Sequence, residues 1–201
     1  MKKESIFTIP NLLSFYRLLA FPWILYLVVS ENEVLFSLFL IINLITDILD
    51  GLLARILRQR TELGARLDSA ADDLTYTLAI IGIFVFKYEE LEPHLQSFIV
   101  FIVFLILPIV LSLIKFGRLP SFHLYSTKAG GYIEGIFFIV LFSGHFIVSY
   151  YYFMVVWGIL ASIEHIAIQA LIPEMRSNVK GLYWVLMEEL RQKKEFRDTG
   201  R

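Results

Sequence analysis

Cysteine is absent from the 201-residue chain, which removes disulfides and thiolate metal ligation from consideration. Charge is scarce too: 18% of residues are Asp, Glu, Lys or Arg, where soluble domains carry about a quarter. No Pro/Gly/Ser-rich linker, internal repeat or second domain is visible. The net charge of −1 is uninformative by itself, and nothing in it points to a nucleic-acid partner. What abounds is apolar surface. The chain is 57% hydrophobic, mean hydropathy is +0.68, and the apolar residues are blocked. Runs such as LLAFPWILYLVV, VLFSLFLIINLI and SFIVFIVFLILPIVLSLI, with their flanks, approach the roughly 20 residues that cross a hydrocarbon core.

Cations sort the connections between these runs. Lys2, Lys3 and Arg17 lie at the start of the first span. RILRQRTELGAR and KFGRLPSFHLYSTK are basic, SENE and KYEELEPH are acidic, and Lys87 alone falls on an acidic side. The positive-inside rule then places both termini and the two basic loops in the cytoplasm, which requires an even number of spans. The runs predict spans over 9–29, 34–57, 65–86, 95–116, 129–149 and 151–172. The expected fold is therefore all-α: a polytopic bundle of about six transmembrane helices in the cell (plasma) membrane. Residues 1–172 form its transmembrane domain and 173–201 a cytoplasmic tail. In that tail Leu182, Val185, Leu186 and Leu190 recur at helical spacing, which predicts an amphipathic surface helix, the alternative being a solvated tail. MKKES is only slightly basic and LYLVVSENE is a poor cleavage site, so the first helix is expected to be retained.

One stretch breaks the apolar rule. DILDGLLAR closes the second span with Asp47 and Asp50, and GARLDSAADD opens the third with Asp68 and Asp72. A carboxylate within a membrane helix costs several kcal/mol unless something compensates it. The spacings i, i+3 and i, i+4 put each pair on one helical face, and a short connection makes the two helices antiparallel neighbours. Four converging acids repel one another. Hard divalent cations with oxygen ligands relieve that repulsion, and two such ions can clamp a phosphate-transfer transition state. Asp73 lies about 100° further round its helix and is expected to pair elsewhere. Small residues accompany the acids. For Ala54, Ala65, Ala70 and Ala71 close helix packing is the simpler reading, whereas Gly51 and Gly64 read as room for a substrate.

The pattern Asp47-x2-Asp50-Gly51-x2-Ala54-Arg55-x8-Gly64-x3-Asp68-x3-Asp72 resembles the CDP-alcohol phosphotransferase signature, with every fixed position met. Six spans, a cytoplasmic N-terminus and a motif straddling spans two and three agree with that family. The resemblance implies an enzyme that displaces CMP from a CDP-linked substrate, usually CDP-diacylglycerol, with an alcohol acceptor. It also implies a homodimer and Mg2+ or Mn2+, two ions in all. By position, Asp47, Asp50 and Asp68 would be metal ligands, and Asp72 the general base, also touching a metal. Gly51, Ala54, Arg55 and Gly64 would serve the nucleotide and its diphosphate, although Arg55 has the alternative of an arginine snorkelling at a helix end.

The acceptor side is less legible. Arg58, Arg60 and Arg66 flank the motif, and Arg118, His123 and Lys128 lie in the second basic loop. Positive-inside topology would supply such cations by itself. Arg66, Arg118 and Lys128 are the candidates for a phosphorylated acceptor. Glycerol 3-phosphate is the preferred acceptor, because TIPNLLSFYRLLAFP is similar to phosphatidylglycerophosphate synthases; inositol phosphate, serine and a phospholipid are alternatives. Glu164 and His165 in the last span are costly if they face lipid; a structural hydrogen bond is the simpler reading and a catalytic role the alternative, and neither residue is assigned. A cation- or proton-coupled transporter is the reading from another class, but its acids would sit near the midplane at broken helices of repeated halves.

Overall fold

The computed structural model describes residues 8–57, 59, 61–120, 122, 124–174 and 179–199. Arg58, Arg60 and His123 lie outside them. Among the described residues the chain is all-helical: α1 (Ile9–Val29), α2 (Glu33–Ile56), α3 (Glu62–Phe86), α4 (Tyr88–Leu91), α5 (Leu95–Phe116), α6 (Tyr125–Phe142), α7 (Val148–Leu171) and α8 (Leu182–Thr199), with a 3-10 turn at Glu92–His94. Five segments are long and apolar enough to cross a membrane: Ile9–Val29, Glu33–Ile56, Leu63–Phe86, Tyr88–Phe116 and Val148–Leu171.

Local chemistry sets the boundaries. The Thr8 hydroxyl accepts the Asn11 N–H at 3.3 Å and starts α1, with Pro10 in the first turn, where a missing N–H costs nothing. α1 stops at Glu31, whose φ of 54° is left-handed. The Glu31 N–H bonds the Val28 carbonyl and the Asn32 N–H the Leu27 carbonyl, the paired bonds that close a helix around a left-handed residue. Asn32 then caps α2 by accepting the Leu35 N–H at 3.1 Å. Thr61 caps α3 by accepting the Gly64 N–H at 2.9 Å.

The fifth predicted span, 129–149, is displaced. Its helix α6 runs from Tyr125 to Phe142 and is not among the five candidate spans. Gly144 causes the early stop: its φ of 89° is a conformation L side chains resist, and the N–H groups of Gly144 and His145 close the helix on Leu141 and Val140.

The chain divides into two compact units, Met1–Pro93 with Phe138–Phe146, and His94–Phe137 with Ile147–Arg201. In the first, α1 packs on both α2 and α3. Ile24, Leu27, Phe36, Leu40, Leu78 and Ile83 form its buried apolar part, and the Phe36 ring meets those of Phe86 and Phe142. Lys87 Nζ, at the end of α3, pairs with Glu33 of α2 at 2.6 Å. In the second unit α5 packs on α7. Lys115 Nζ donates to the carbonyls of Gln169 and Ile172 at 2.6 and 3.0 Å, placing a cation on the negative end of α7. The tail helix is α8; its Val185 is buried with Leu124, Ile168 and Ile172, while Tyr183, Trp184 and Leu190 are exposed.

Candidate active site

Three helices of the first unit build the site. α2 supplies Asp47, Asp50, Gly51, Ala54 and Arg55, and α3 supplies Gly64, Asp68 and Asp72. α1 supplies a polar stripe that the motif does not contain: Asn11, Ser14 and Arg17, spaced i, i+3, i+6 on one face and all buried. Arg17 is the centre of the arrangement. Its Nη1 donates to Asp47 Oδ1 at 3.0 Å and Asp72 Oδ1 at 2.5 Å. Its Nη2 donates to Asp50 Oδ2 at 2.5 Å and Asp68 Oδ1 at 2.7 Å. Ser14 Oγ adds a bond to Asp50 Oδ2 at 3.1 Å. The four predicted acids therefore do converge.

The cluster is graded in exposure. The Arg17 side chain is 0% exposed and Asp50 3%, whereas Asp47, Asp72 and Asp68 are 28%, 34% and 38% exposed. It is closed at Arg17 and Asp50 and partly open at the other three acids. One oxygen each from Asp47, Asp50 and Asp68 lies within 4.8 Å of the others. Hard carboxylate oxygens at such spacing fit a divalent cation of the Mg2+ or Mn2+ kind. Asp72 is not one of that trio. It joins the cluster through Arg17.

A cavity of about 280 Å3 adjoins the cluster at Asp50 and Asp68, between the start of α1, the end of α2 and the start of α3. Asp50 and Asp68 line it together with Gly51, Ala54, Arg55 and Gly64, the predicted nucleotide set; Asn11, Ser14, Gln59 and Thr61 complete its polar wall. The two glycines have different surroundings. A Cβ on Gly51 would meet nothing within 4 Å. A Cβ on Gly64 would collide with the Asn11 amide and lie 2.7 Å from Thr61 Oγ1, two groups that are hydrogen-bonded to each other at 3.3 Å. Gly64 thus lets the start of α1 lie against the start of α3, and Gly51 leaves open space beside the acids. Of the alanines, Ala54 and Ala65 line the cavity and Ala71 is buried in packing.

The acceptor candidates fall elsewhere. Arg66, Arg118 and Lys128 are exposed, and none lines the cavity; Arg118 and Lys128 belong to the second unit. Asp73 is exposed, off the face of Asp72. Glu164 is occupied: Oε1 accepts the Leu182 N–H at 2.9 Å, and Oε2 accepts the Ser126 hydroxyl. His165 does not share that bond. Its ring packs on Phe122 at 5.0 Å, and its Nε2 has no hydrogen-bond partner among the described residues.

Sequence reasoning missed the α1 stripe, Arg17 above all, having read it as one more cation near the membrane surface. A signal was present. Arg17 is the sole Lys or Arg between Lys3 and Arg55, and an arginine inside an apolar run calls for a partner as strongly as an aspartate does.

The family model for CDP-alcohol phosphatidyltransferase matches residues 7–165. The chain is 43% identical over 86 residues to a CDP-diacylglycerol–glycerol-3-phosphate 3-phosphatidyltransferase of Aquifex aeolicus, covering 42% of this chain and 48% of that protein. It is 35% identical over 92 residues to a human cardiolipin synthase (CMP-forming), covering 45% of this chain and 29% of that one, and 36% identical over 98 residues to a fusion protein of Schizosaccharomyces pombe that carries a cardiolipin synthase, covering 49% and 16%. These matches span about half or less of each relative's length. No solved structure matches the chain.

Proposed function

Because the chain belongs to the CDP-alcohol phosphatidyltransferase family, we propose that it transfers a phosphatidyl group from CDP-diacylglycerol to a polar alcohol, releasing CMP, as a transferase of substituted phosphate groups in phospholipid synthesis. The observation that carries this reading is a convergent acid cluster opening into a cavity that leaves room beside Gly51. The acceptor's hydroxyl oxygen forms a new bond to the phosphatidyl phosphorus, the bond from that phosphorus to the CMP oxygen breaks, and the hydroxyl proton passes to a base. Asp72 is that base: it is a third exposed, one turn along α3 from Asp68, and outside the trio suited to a metal. Asp47, Asp50 and Asp68 would hold the divalent cation, which supplies neutralisation of the diphosphate and of the departing CMP. Arg55, lining the cavity, offers a planar fork to phosphate oxygens.

Glycerol 3-phosphate is the acceptor we favour, supported by the opening stretch of α1 and by the name of the Aquifex relative. The cardiolipin synthase relatives support a second reading, a phospholipid acceptor. Purified protein given CDP-diacylglycerol and, in turn, glycerol 3-phosphate, inositol phosphate, serine or phosphatidylglycerol decides between them. CMP release with glycerol 3-phosphate alone is the expected result; release only with phosphatidylglycerol favours the second reading, and none with any alcohol removes the proposed activity.

The remaining parts of the reading concern placement. We place a homodimer in the plasma membrane with both termini cytoplasmic; termini on one side require α6 to be a sixth, short crossing. Its eighteen residues rise about 27 Å, close to the ~30 Å of a hydrocarbon core. Single cysteines introduced into this cysteine-free chain test the orientation: positions 58–64 and 118–127 should label from the cytoplasm and 87–94 from the opposite side, and the reverse pattern would turn the site outward.

A further inference from the structure

Arg17 has no role in the chemistry just described, yet it has more ionic partners than any other described side chain. It is buried, each terminal nitrogen bridges two carboxylates, and Nε has no partner among the described residues. A substrate-binding arginine would face the cavity. Arg17 does not line it, and its side chain is 0% exposed, so its charge is directed wholly at the acids. Three of the oxygens it engages belong to Asp47, Asp50 and Asp68, the residues suited to a divalent cation. A guanidinium and a metal ion drawing on the same carboxylates repel each other, and with Arg17 and Asp50 buried solvent screens that repulsion only in part.

We propose that Arg17 is the protein's own counter-cation for the acid cluster, a positioning residue that keeps the four carboxylates convergent and competes with the divalent cation for their charge. Four acids around one guanidinium keep a surplus of negative charge, so the competition lowers metal affinity without abolishing it. The planar fork is essential to the first part: two terminal nitrogens reach four carboxylates from one buried stem, and an ammonium at the same place would act as a compact point charge. Arg17 therefore sets the affinity of the site, and the acids supply its ligands.

The inference rests on the metal reading above, and direct Mn2+ binding separates the two. Mn2+ is titrated by electron paramagnetic resonance into the full chain in detergent, as wild type, Arg17→Gln and Arg17→Lys, with thermal unfolding measured in chelator and in Mg2+. Arg17→Gln should bind Mn2+ about ten-fold more tightly, the scale of one like-charge contact removed from a partly screened site. Its unfolding temperature should fall in chelator and recover with Mg2+ by more than that of wild type. Arg17→Lys should shift affinity in the same direction by less. Unchanged or weaker Mn2+ binding in Arg17→Gln overturns the inference and leaves the metal reading standing. If Arg17→Gln does not fold, Arg17→Lys is judged by the same criterion. A wild type that binds no Mn2+ overturns both.

Discussion

Two acidic positions inside apolar helices are handled in opposite ways. In the second unit, Glu164 has both oxygens committed, one to the first N–H of α8 and one to the Ser126 hydroxyl. The donors there are neutral, and each oxygen has one. In the first unit, four carboxylates share the Arg17 guanidinium and one hydroxyl; three of the four remain partly exposed, and Asp50 and Asp68 line a cavity. A satisfied carboxylate is a fastening. A cluster with surplus charge is a place where something binds. The difference lies in the accounting of donors, not in burial or residue type.

The comparison is broken most severely by removing a cluster acid. Asp68→Asn should cut CMP release by about 10^3-fold or more, because it takes a charged oxygen from the electrostatic centre of the site. Membrane extraction and size-exclusion profiles should stay unchanged, and excess chelator should reproduce the loss in wild type. Asp72→Asn comes next. If Asp72 takes the acceptor's proton, turnover should fall about 10^2-fold, within the range of general-base catalysis, while Mn2+ affinity stays near that of wild type. An equal loss of metal binding in both variants would make Asp72 chiefly a ligand.

The glycines sharpen the comparison within the first unit. Gly64→Ala forces a methyl onto the Asn11 amide and should lower unfolding stability by about 1–3 kcal/mol, the usual cost of overpacking. Gly51→Ala has open space around it inside α2, so its stability should match or exceed wild type by up to about 1 kcal/mol while KM for CDP-diacylglycerol rises. Smallest is Glu164→Gln. Its amide can keep both hydrogen bonds if the Ser126 hydroxyl rotates to accept, so only the charge at the N-terminus of α8 is lost. The expected cost is about 0.3–1 kcal/mol, read as a small drop in unfolding temperature with CMP release unaffected.

Much of the first unit was legible because a membrane helix admits charge only for a reason. The spacing of Asp47, Asp50, Asp68 and Asp72 implied one shared face, and Arg17 joins all four. Arg17 itself was obscured by the rule that located the loops, since counting cations by topology treats an arginine near a span's start as a surface marker. Ser14 and Asn11 were obscured differently: hydroxyls and amides are common in apolar helices, and only tertiary contacts distinguish a site wall from a local bond. Gly64 looked like Gly51 in sequence because an absent side chain does not say whether its space is open or filled by a neighbour. The end of α6 was misjudged because the apolar residues resume at once after Ser143-Gly144-His145, so the short interruption was absorbed into one span, whereas the backbone turns at Gly144.

The pairing of Lys87 with Glu33 has a mechanical consequence. It ties the last turn of α3 to the first turn of α2, while Arg17 ties the opposite ends of the same two helices through their acids. A pair of rods pinned at one end can slide lengthwise or scissor; pinned at both, it can do neither without breaking two fastenings together. One helical turn of slippage, about 5.4 Å, would exceed the reach of either tie. Shear between α2 and α3 would have to break both ties together, which leaves side-chain rotation on a braced frame as the less costly way to accommodate different substrates in the cavity.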